Sequence, residues 1–483
     1  MSARPPQRPV RSTIAEVINP PAEPAQLTTQ ERKALSRCER TIDVAVDKVA
    51  QGFAELAEAF FQIREQRLYR ETSATFGGYF RERWGYGRSH ANRIADAGEI
   101  IHDLSPRGDI LEAMTSEAHF RPLVKLIADE RQELLNLAGT WREWHREPTV
   151  APALIRSVKA FLHPPAGPSE PDEESAKLVE RFSKMVDEVE SELPTGTSAE
   201  IRKLFRRLKT KSAALGAPRS STGISWTAAT WNPLQGCLRV SAGCDRCYAA
   251  KTIATRMSSM YPGLAGIKTH KDGSKSYHFL NKIVLLPEDF GQPLNDRIPK
   301  RYFVNSMSDL FHDKVPDSFI EAVFAVMKKA HWHQFQVLTK RPERMATFTA
   351  KYFQDAEPPP NVWLGTSTED QSAFDKRIPW LRKTRAAVRW LSCEPLLGPI
   401  RFDLPKGIDW VVVGGESDSD RRMEKAWAVS LRDQCARHHI PYFFKQWGSY
   451  DEHGEGPQKE KHDELHPPTI DGVIHNAFPT TSA

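Results

Sequence analysis

The chain has 483 residues, a formal net charge of +5, 40% hydrophobic residues and only six cysteines. This length predicts more than one domain, because a single core seldom exceeds ~250 to 300 residues. It contains no apolar run of ~18 residues and no apolar signal region at its start, so we predict neither a membrane span nor export. So few cysteines exclude a disulfide framework, and we expect a reducing, cytoplasmic environment.

The first third of the chain is predicted to be helical. Proline-rich residues 1–27 predict a disordered segment. Apolar residues then recur every three or four positions, as in "VAVDKVAQGFAELAEAFFQIRE", so we predict an all-α domain over residues 28–162. Residues 163–224 are predicted to form a linker and charged helices. The basic residues within 202–211 are available for phosphate contacts, although a solvated helix face is the simpler interpretation.

A helix-turn-helix is predicted within "TFGGYFRERWGYGRSHANRIADAGEII", residues 75–101. The first helix ends at Trp84, Gly85 and Gly87 form the turn, and the second helix begins near Ser89. An ordinary helical hairpin with a polar face is the alternative. The wider stretch resembles a helical DNA-binding module of phage and plasmid proteins, and this resemblance implies DNA as a partner. The residues expected to contact DNA open the second helix: Arg88, Ser89, His90, Asn92 and Arg93.

From residue 225 onward, short β-rich runs alternate with amphipathic helical runs. Strands are expected at 225–231, 277–286, 301–306, 333–339, 361–366, 387–392, 409–415 and 441–447. This alternation predicts a parallel sheet, and about eight strands over residues 225–450 predict a (β/α) barrel, full or partial. An open doubly wound sheet is the alternative. Residues 451–483 are predicted to be a polar tail.

Half of the cysteines fall in one loop, "WNPLQGCLRVSAGCDRCYA", where Cys237, Cys244 and Cys247 give a C-x6-C-x2-C spacing. Their polar and glycine neighbours argue against simple packing. A structural zinc site would need a fourth ligand, for which His270 and His278 are the candidates. An iron–sulfur cluster held by three thiolates would leave one iron open for a small molecule.

Three cysteines in one loop after the first strand resemble the radical S-adenosylmethionine enzymes. The spacing departs from that superfamily's C-x3-C-x2-C, and Arg246 stands where an aromatic residue is usual. The resemblance implies a 4Fe-4S cluster that binds S-adenosylmethionine and cleaves it to a deoxyadenosyl radical. It also implies an electron donor such as flavodoxin or ferredoxin.

A closer resemblance covers residues ~225 to 450. The motifs "WNPLQGC", "GCDRCYA", "FVNSMSDLF", "LTKRPER", "WLGTSTED", "LSCEPLLGPI", "GGESDSDRR" and "FFKQWG" are similar to those of a phage-associated three-cysteine family of unassigned activity. The resemblance implies a family and leaves the reaction open.

Polar residues follow strand after strand, which predicts a ligand pocket at the carboxyl ends of the strands. Four of them are candidate catalytic residues: Lys340, Arg341, Glu394 and Lys445. Five are candidate cofactor-binding residues: Asn305, Ser392, Gly414, Gly415 and Glu416. The cations suit a carboxylate or phosphate, and the "GGE" carbonyls and carboxylate suit an ammonium group.

Together these features predict a phage- or mobile-element-associated iron–sulfur enzyme that modifies or repairs a DNA base. The alternative is a zinc-stabilised protein that binds DNA or another partner without catalysis. A metal-assisted nuclease is disfavoured, because no paired-carboxylate motif stands out. The oligomeric state is left open.

Overall fold

The computed structural model describes residues 26–47, 53–104, 113–144, 151–165, 167, 224–271, 273, 275–402, 407–417, 420–456 and 467–480. They form two compact units, one within Met1–Arg142 and Glu147–Ile155, the other within Glu143–Arg146 and Arg156–Ala483. Most of the predicted disordered segment and of the predicted linker, including its basic run at 202–211, lies outside the described residues. No helix in the described part of the chain is long and apolar enough to cross a membrane.

The prediction of a helical N-terminal region is confirmed. The helices are α1 (Thr29–Asp47), α2 (Phe53–Glu65), α3 (Phe76–Trp84), α4 (Arg88–Asp103), α5 (Glu117–Phe120), α6 (Ala128–Arg142) and α7 (Pro152–Leu162). Helices α2 and α4 touch backbone to backbone at Gly98. A Cβ at that position would lie 2.5 Å from the carbonyl carbon of Ala57, so only glycine allows this approach.

The two helices of the predicted helix-turn-helix are present, and their ends agree with the prediction to within one residue. Thr75 caps α3 by accepting a hydrogen bond from Gly78 N at 3.0 Å. Gly85 ends the helix with a φ of 75°, a left-handed conformation that favours glycine. Helix α4 then begins at Arg88.

The second unit contains a seven-stranded parallel sheet with the order β1-β6-β7-β8-β9-β10-β11. Its strands are β1 (Ala229–Trp231), β6 (Arg301–Val304), β7 (Gln334–Thr339), β8 (Val362–Ser367), β9 (Val388–Cys393), β10 (Trp410–Gly414) and β11 (Tyr442–Gln446). The helices of this unit are α8 (Tyr248–Thr255), α9 (Gly291–Asn295), α10 (Asp317–Lys329), α11 (Pro342–Tyr352), α12 (Gln371–Lys383) and α13 (Lys425–Arg437).

The predicted (β/α) barrel is wrong, because β1 and β11 are the two edges of an open, half-barrel sheet and do not pair with each other. The strands follow one another in chain order without reversal. The alternative of a doubly wound sheet, whose order reverses at a switch point, does not describe the sheet either. The sheet has seven strands where eight were expected because the run at 277–286 lies elsewhere, in two short strands.

The sheet is strongly curved around a core of tryptophans. Trp226 contacts both Phe303 on β6, at 4.8 Å between ring centroids, and Trp410 on β10, at 6.3 Å. In a flat sheet, strands four positions apart would be separated by about 19 Å. Trp363 and Trp390 are buried in the same cluster. One polar side chain is buried with this apolar core, since Gln336 on β7 donates to Trp226 O at 3.3 Å.

One insertion interrupts the sheet between β1 and β6. Its base is the antiparallel pair β2 (Leu234–Gln235) and β5 (Val284–Leu285). It contains the cysteine loop, helix α8 and a two-stranded antiparallel ribbon of β3 (Ala265–Thr269) and β4 (Lys275–Phe279). At its base Gly236 has a φ of 98°, and a Cβ there would collide with the backbone of Lys282.

The C-terminal described segment packs against the sheet. It contains the short hairpin of β12 (Thr469–Ile470) and β13 (Val473–Ile474). After it, His475 O accepts a hydrogen bond from Phe444 N on β11 at 2.8 Å. Phe478 then stacks on Trp410 at 5.1 Å, so this segment completes the tryptophan core.

Candidate functional site

The three predicted metal-binding cysteines lie in the loop between β2 and α8, at the carboxyl edge of the sheet. Cys237, Cys244 and Cys247 are all half-buried free thiols. Two apolar residues of the same loop, Leu238 and Val240, are about two-fifths exposed, at 38% and 40%. The loop therefore presents sulfur and apolar surface where a small molecule could reach them.

Three arginines hold this loop against the rest of the sheet. Arg341, after β7, donates to Leu238 O at 3.3 Å, and its Nη1 lies 3.8 Å from Cys237 Sγ. Arg377, on α12, donates to Ser241 Oγ at 2.9 Å. Arg421, after β10, donates to Ala242 O at 3.1 Å. The loop thus crosses from β2 towards the ends of β7 and β10.

Each of these arginines also pairs with a buried carboxylate at a strand end. The pairs are Arg341–Asp309 at 2.9 Å, Arg377–Glu369 at 2.8 Å, and Arg421–Glu416. The three carboxylate side chains are between 1% and 7% exposed. Buried charges of this kind are retained in proteins when they are paired and hydrogen-bonded. We infer that the ion pairs fix the position of the loop.

A fourth ion pair lies directly on the tryptophan core. Lys445 Nζ is 2.8 Å from Glu394 Oε1. The other carboxylate oxygen, Oε2, accepts hydrogen bonds from Trp226 Nε1 at 3.2 Å and Ser392 Oγ at 3.3 Å. Two predicted catalytic residues and one predicted cofactor-binding residue are thus brought together, at the carboxyl end of the concave face.

The electrostatics of the thiols differ from those of an activated nucleophile. Burial, together with the nearby Asp309 carboxylate, raises the pKa of Cys237 to about 12. Burial also raises the pKa of Cys247, while the Lys340 charge opposes that rise. Since the thiolate is the reactive form, the raised pKa values keep Cys237 and Cys247 protonated at neutral pH unless a metal displaces their protons.

For a metal or cluster, the donor chemistry of the loop fits, although the three thiols are not gathered around one point in this structure. Three thiols on one loop are suitable ligands for iron or zinc. Cys244 lies close enough to Cys247 to contribute to the rise in the pKa of Cys247, whereas Cys237 contacts Arg341. Within the described residues, no group of three or more Cys, His, Asp or Glu side chains is gathered for metal binding.

Lys340, the fourth predicted catalytic residue, lies near the same loop. Its positive charge opposes the rise in the pKa of Cys247 and helps to lower the pKa of Glu369. Its backbone N donates to Asp309 Oδ2 at 3.2 Å, which ties the end of β7 to the buried carboxylate.

Two of the predicted cofactor-binding residues, Gly415 and Glu416, are held by contacts with neighbouring residues of the protein. Glu416 is 6% exposed and receives two hydrogen bonds from Arg421. A Cβ at Gly415 would lie 2.5 Å from the carbonyl carbon of Trp447, so the neighbouring backbone requires glycine here. Gly414 differs, since a Cβ there would lie 2.9 Å from Glu394 Oε1, within the site.

Asn305 retains an unused acceptor at the end of β6. It is 2% exposed and has a left-handed φ of 66°. Its Nδ2 donates to Ser308 Oγ at 2.6 Å, whereas its Oδ1 accepts no hydrogen bond from any described residue. An unpaired buried acceptor is costly, so this atom is a candidate for a ligand or water contact.

The predicted DNA-binding residues are split between exposed and engaged positions. Arg88, Ser89 and His90 are exposed on the first turn of α4. Asn92 and Arg93 are half-buried. Asn92 donates to Arg88 O at 2.9 Å, and Arg93 Nε lies 3.2 Å from a Glu117 carboxylate oxygen. The exposed first turn is therefore the part of α4 best placed to contact a partner.

The sequence-based prediction missed the arginines that fix the cysteine loop, Arg377 and Arg421. Arg377 lies within an amphipathic helix, where an arginine is usually exposed, and only the fold shows it buried at 9% exposure. For Arg421, the run "GGESDSDRR" after β10 was the available signal.

Comparison with known protein families gives one match. The family described as "Protein of unknown function (DUF5131)" matches residues 221–479, more than half of the chain. No curated protein and no solved structure shows significant similarity to the chain. The matched range contains the whole sheet, the cysteine loop and the residues around it.

Proposed function

The chain belongs to the DUF5131 family of proteins of unknown function, and we propose that it is an iron–sulfur enzyme that modifies or repairs a base in DNA. In this proposal Cys237, Cys244 and Cys247 hold a 4Fe-4S cluster, and S-adenosylmethionine is the second cofactor. The proposal includes the phage or mobile-element origin that the sequence motifs suggest.

The observation that carries the proposal is the position of the cysteine loop. Three free thiols lie at the carboxyl edge of a parallel sheet, where open α/β sheets bind their ligands. Around them lie a buried ion pair, Lys445–Glu394, and an unpaired acceptor, Asn305 Oδ1. Ion pairs and unpaired polar groups at one edge are typical of a site that recognises a charged small molecule.

When bound, a three-cysteine cluster would supply an electron to S-adenosylmethionine at its open iron. The protein's own residues have other tasks. Arg341 beside Cys237 and the Lys340 charge near Cys247 oppose the rise that burial causes in the pKa of these two thiols, and so assist their deprotonation when a metal binds. Arg377 and Arg421 keep the loop in place through Ser241 and Ala242.

The Lys445–Glu394 pair is suited to a zwitterionic ligand. A ligand that carries both an ammonium and a carboxylate group can exchange partners with the pair, the ammonium meeting Glu394 and the carboxylate meeting Lys445. Trp226 and Ser392 hold the Glu394 carboxylate during this exchange. Such charge-assisted contacts are the stronger class of hydrogen bond, so they would contribute both affinity and orientation.

Anaerobic purification of the full chain tests the cluster. We expect several irons per chain and a broad absorption near ~400 nm. Cys237→Ser, Cys244→Ser and Cys247→Ser should each abolish both signals. The matched control is Cys435→Ala, at a buried cysteine on α13, which should retain them. With S-adenosylmethionine and a reductant, the wild type should release deoxyadenosine. Colourless protein with one zinc per chain would overturn the enzyme proposal.

DNA binding is tested separately. Affinity for duplex DNA should fall steeply with salt and should drop in the Arg88→Ala, Arg93→Ala double variant. The control is Lys376→Ala, an exposed cation on α12 of the other unit. Equal binding by the double variant and the control would remove the helix-turn-helix from the proposal.

A further inference from the structure

The antiparallel ribbon of β3 and β4 has no role in the site described above. Its two strands have five residues each and pair from Ala265 with Phe279 to Thr269 with Lys275. At about 3.4 Å per residue, the paired part is about 17 Å long. No residue of either strand is buried, and half of the ten are exposed, including Ile267 at 47%.

The ribbon is strongly basic. Between Ala265 and Lys282 the sequence has four lysines and one aspartate. Three of these lysines, Lys268, Lys271 and Lys275, lie at the end of the ribbon and are exposed. None of the three forms a salt bridge within the described part of the chain. Three rings, His270, Tyr277 and His278, lie in the same stretch as these lysines. A group of exposed cations attracts ligands of negative charge.

The ribbon is fixed to the cysteine loop. Both belong to the insertion whose base is the β2–β5 pair. Helix α8 begins immediately after Cys247 and packs on both strands of the ribbon. A partner bound along the ribbon is therefore held by the same rigid element that carries the cysteines.

We propose that the β3–β4 ribbon binds duplex DNA, with Lys268, Lys271 and Lys275 contacting the phosphates. The major groove of B-form DNA, about 12 Å wide, admits a two-stranded ribbon. The deep, narrow major groove of an A-form RNA duplex does not. This inference rests on the proposed function only in taking DNA as the substrate, since the binding itself requires no cluster.

The experiment compares full-length variants in the Arg88→Ala, Arg93→Ala background, which removes the predicted contribution of α4. The ribbon variant is Lys268→Ala, Lys271→Ala, Lys275→Ala. The matched control is Lys328→Ala, Lys351→Ala, Lys376→Ala, three exposed lysines on helices α10, α11 and α12. The slope of log affinity against log salt should fall by up to about 2.7 in the ribbon variant, at about 0.9 per phosphate contact. It should not change in the control.

A crosslinking measurement locates the contact without removing any charge. With p-benzoylphenylalanine in place of Ile267, the full chain should crosslink to a DNA duplex. The same substitution at Val473, which is 54% exposed on the β12–β13 hairpin, should not. Equal salt slopes for the ribbon and control variants, or equal crosslinking at the two positions, would overturn the inference. Equal affinity for an A-form RNA duplex would overturn the groove assignment.

The iron content of the ribbon variant keeps the two proposals distinguishable. We expect the ribbon variant to keep the iron and the absorption of the wild type. Loss of DNA binding with iron retained supports the ribbon inference. If no variant contains iron but the ribbon variant still loses DNA binding, the cluster proposal is rejected and the ribbon inference stands.

Discussion

Removal of Arg377 should destabilise the second unit and release the cysteine loop. The Arg377 guanidinium donates to Ser367 O at 2.7 Å, to Glu369 Oε2 at 2.8 Å and to Ser241 Oγ at 2.9 Å. Arg377→Ala leaves the Glu369 carboxylate, only 1% exposed, without its cation. Loss of one partner of a buried ion pair costs about 3–5 kcal/mol. We expect a loss of that size at pH 7, measured by urea unfolding with tryptophan fluorescence.

The pH dependence of the loss gives a second test. Burial alone would raise the pKa of Glu369, but Arg377 and its other polar neighbours hold it below the usual value. In the wild type, the lowered pKa of Glu369 stabilises the folded state at every pH above the pKa that Glu369 has in the unfolded chain. This stabilisation is lost as the pH falls through the pKa of Glu369 in the folded protein. In Arg377→Ala the buried carboxyl loses its ion-pair partner and keeps only the charge of Lys340, so its pKa rises and the variant gains stability as the pH falls. The difference between the two proteins should therefore narrow from pH 7 towards pH 4.

Two further variants separate the ion pair from other effects. Arg382→Ala, at an exposed arginine on the same helix, should change stability by no more than about 0.5 kcal/mol. Arg377→Met with Glu369→Met should recover much of the loss, because no charge is left buried. The three loop thiols should react faster with a thiol reagent in Arg377→Ala than in Arg382→Ala. A loss below about 1 kcal/mol, or one that does not change with pH, would refute the reasoning.

Two other predictions follow from single contacts. A Cβ at Gly365 would lie 2.5 Å from the indole of Trp390, so Gly365→Ala should lower the free energy of unfolding in urea by about 1–3 kcal/mol. In the control Gly398→Ala the nearest neighbour of the new Cβ is 3.6 Å away, and the loss should be much smaller. Equal losses in the two variants would contradict this account. Burial and the Glu288 charge raise the pKa of Asp289 to about 6, so the folded state is favoured as the pH falls from about 6 towards 4. Asp289→Asn should therefore be more stable than the wild type at pH 7.5 and lose that advantage at pH 4.5, and an advantage that does not change with pH would contradict the assignment.

The helices and most strands could be predicted because each has a local pattern. The run at 277–286 shows where such patterns fail. It looks like one apolar strand, yet Asn281 within it has a left-handed φ of 54° and separates β4 from β5. Both then pair antiparallel, outside the main sheet. Without this run the main sheet has seven strands, and it does not close into the predicted barrel. Closure depends on pairing between distant strands, which no local pattern reports.

The part of the site that lies at the ends of parallel strands could be predicted from the sequence. The carboxyl ends of parallel strands meet at one edge, and for this reason Glu394, Ser392 and Lys445 could be placed together from sequence. The contacts of Arg377 with Ser241 and of Arg421 with Ala242 join elements far apart in the chain. Those contacts depend on the path of the cysteine loop, which a C-x6-C-x2-C spacing does not specify.

The segment that follows β13 has a consequence for aggregation. Strand β11 is the last strand of the sheet, and "YFFKQ" is a sequence with high β-propensity. Unpaired edge strands of this kind recruit other chains. Residues 475–477 bind its free side, with Phe444 N donating to His475 O and Ala477 N donating to Tyr442 O. During synthesis β11 leaves the ribosome some thirty residues before residues 475–477 do. A chain that ended between β11 and these residues would expose an unpaired edge strand that can pair with other chains.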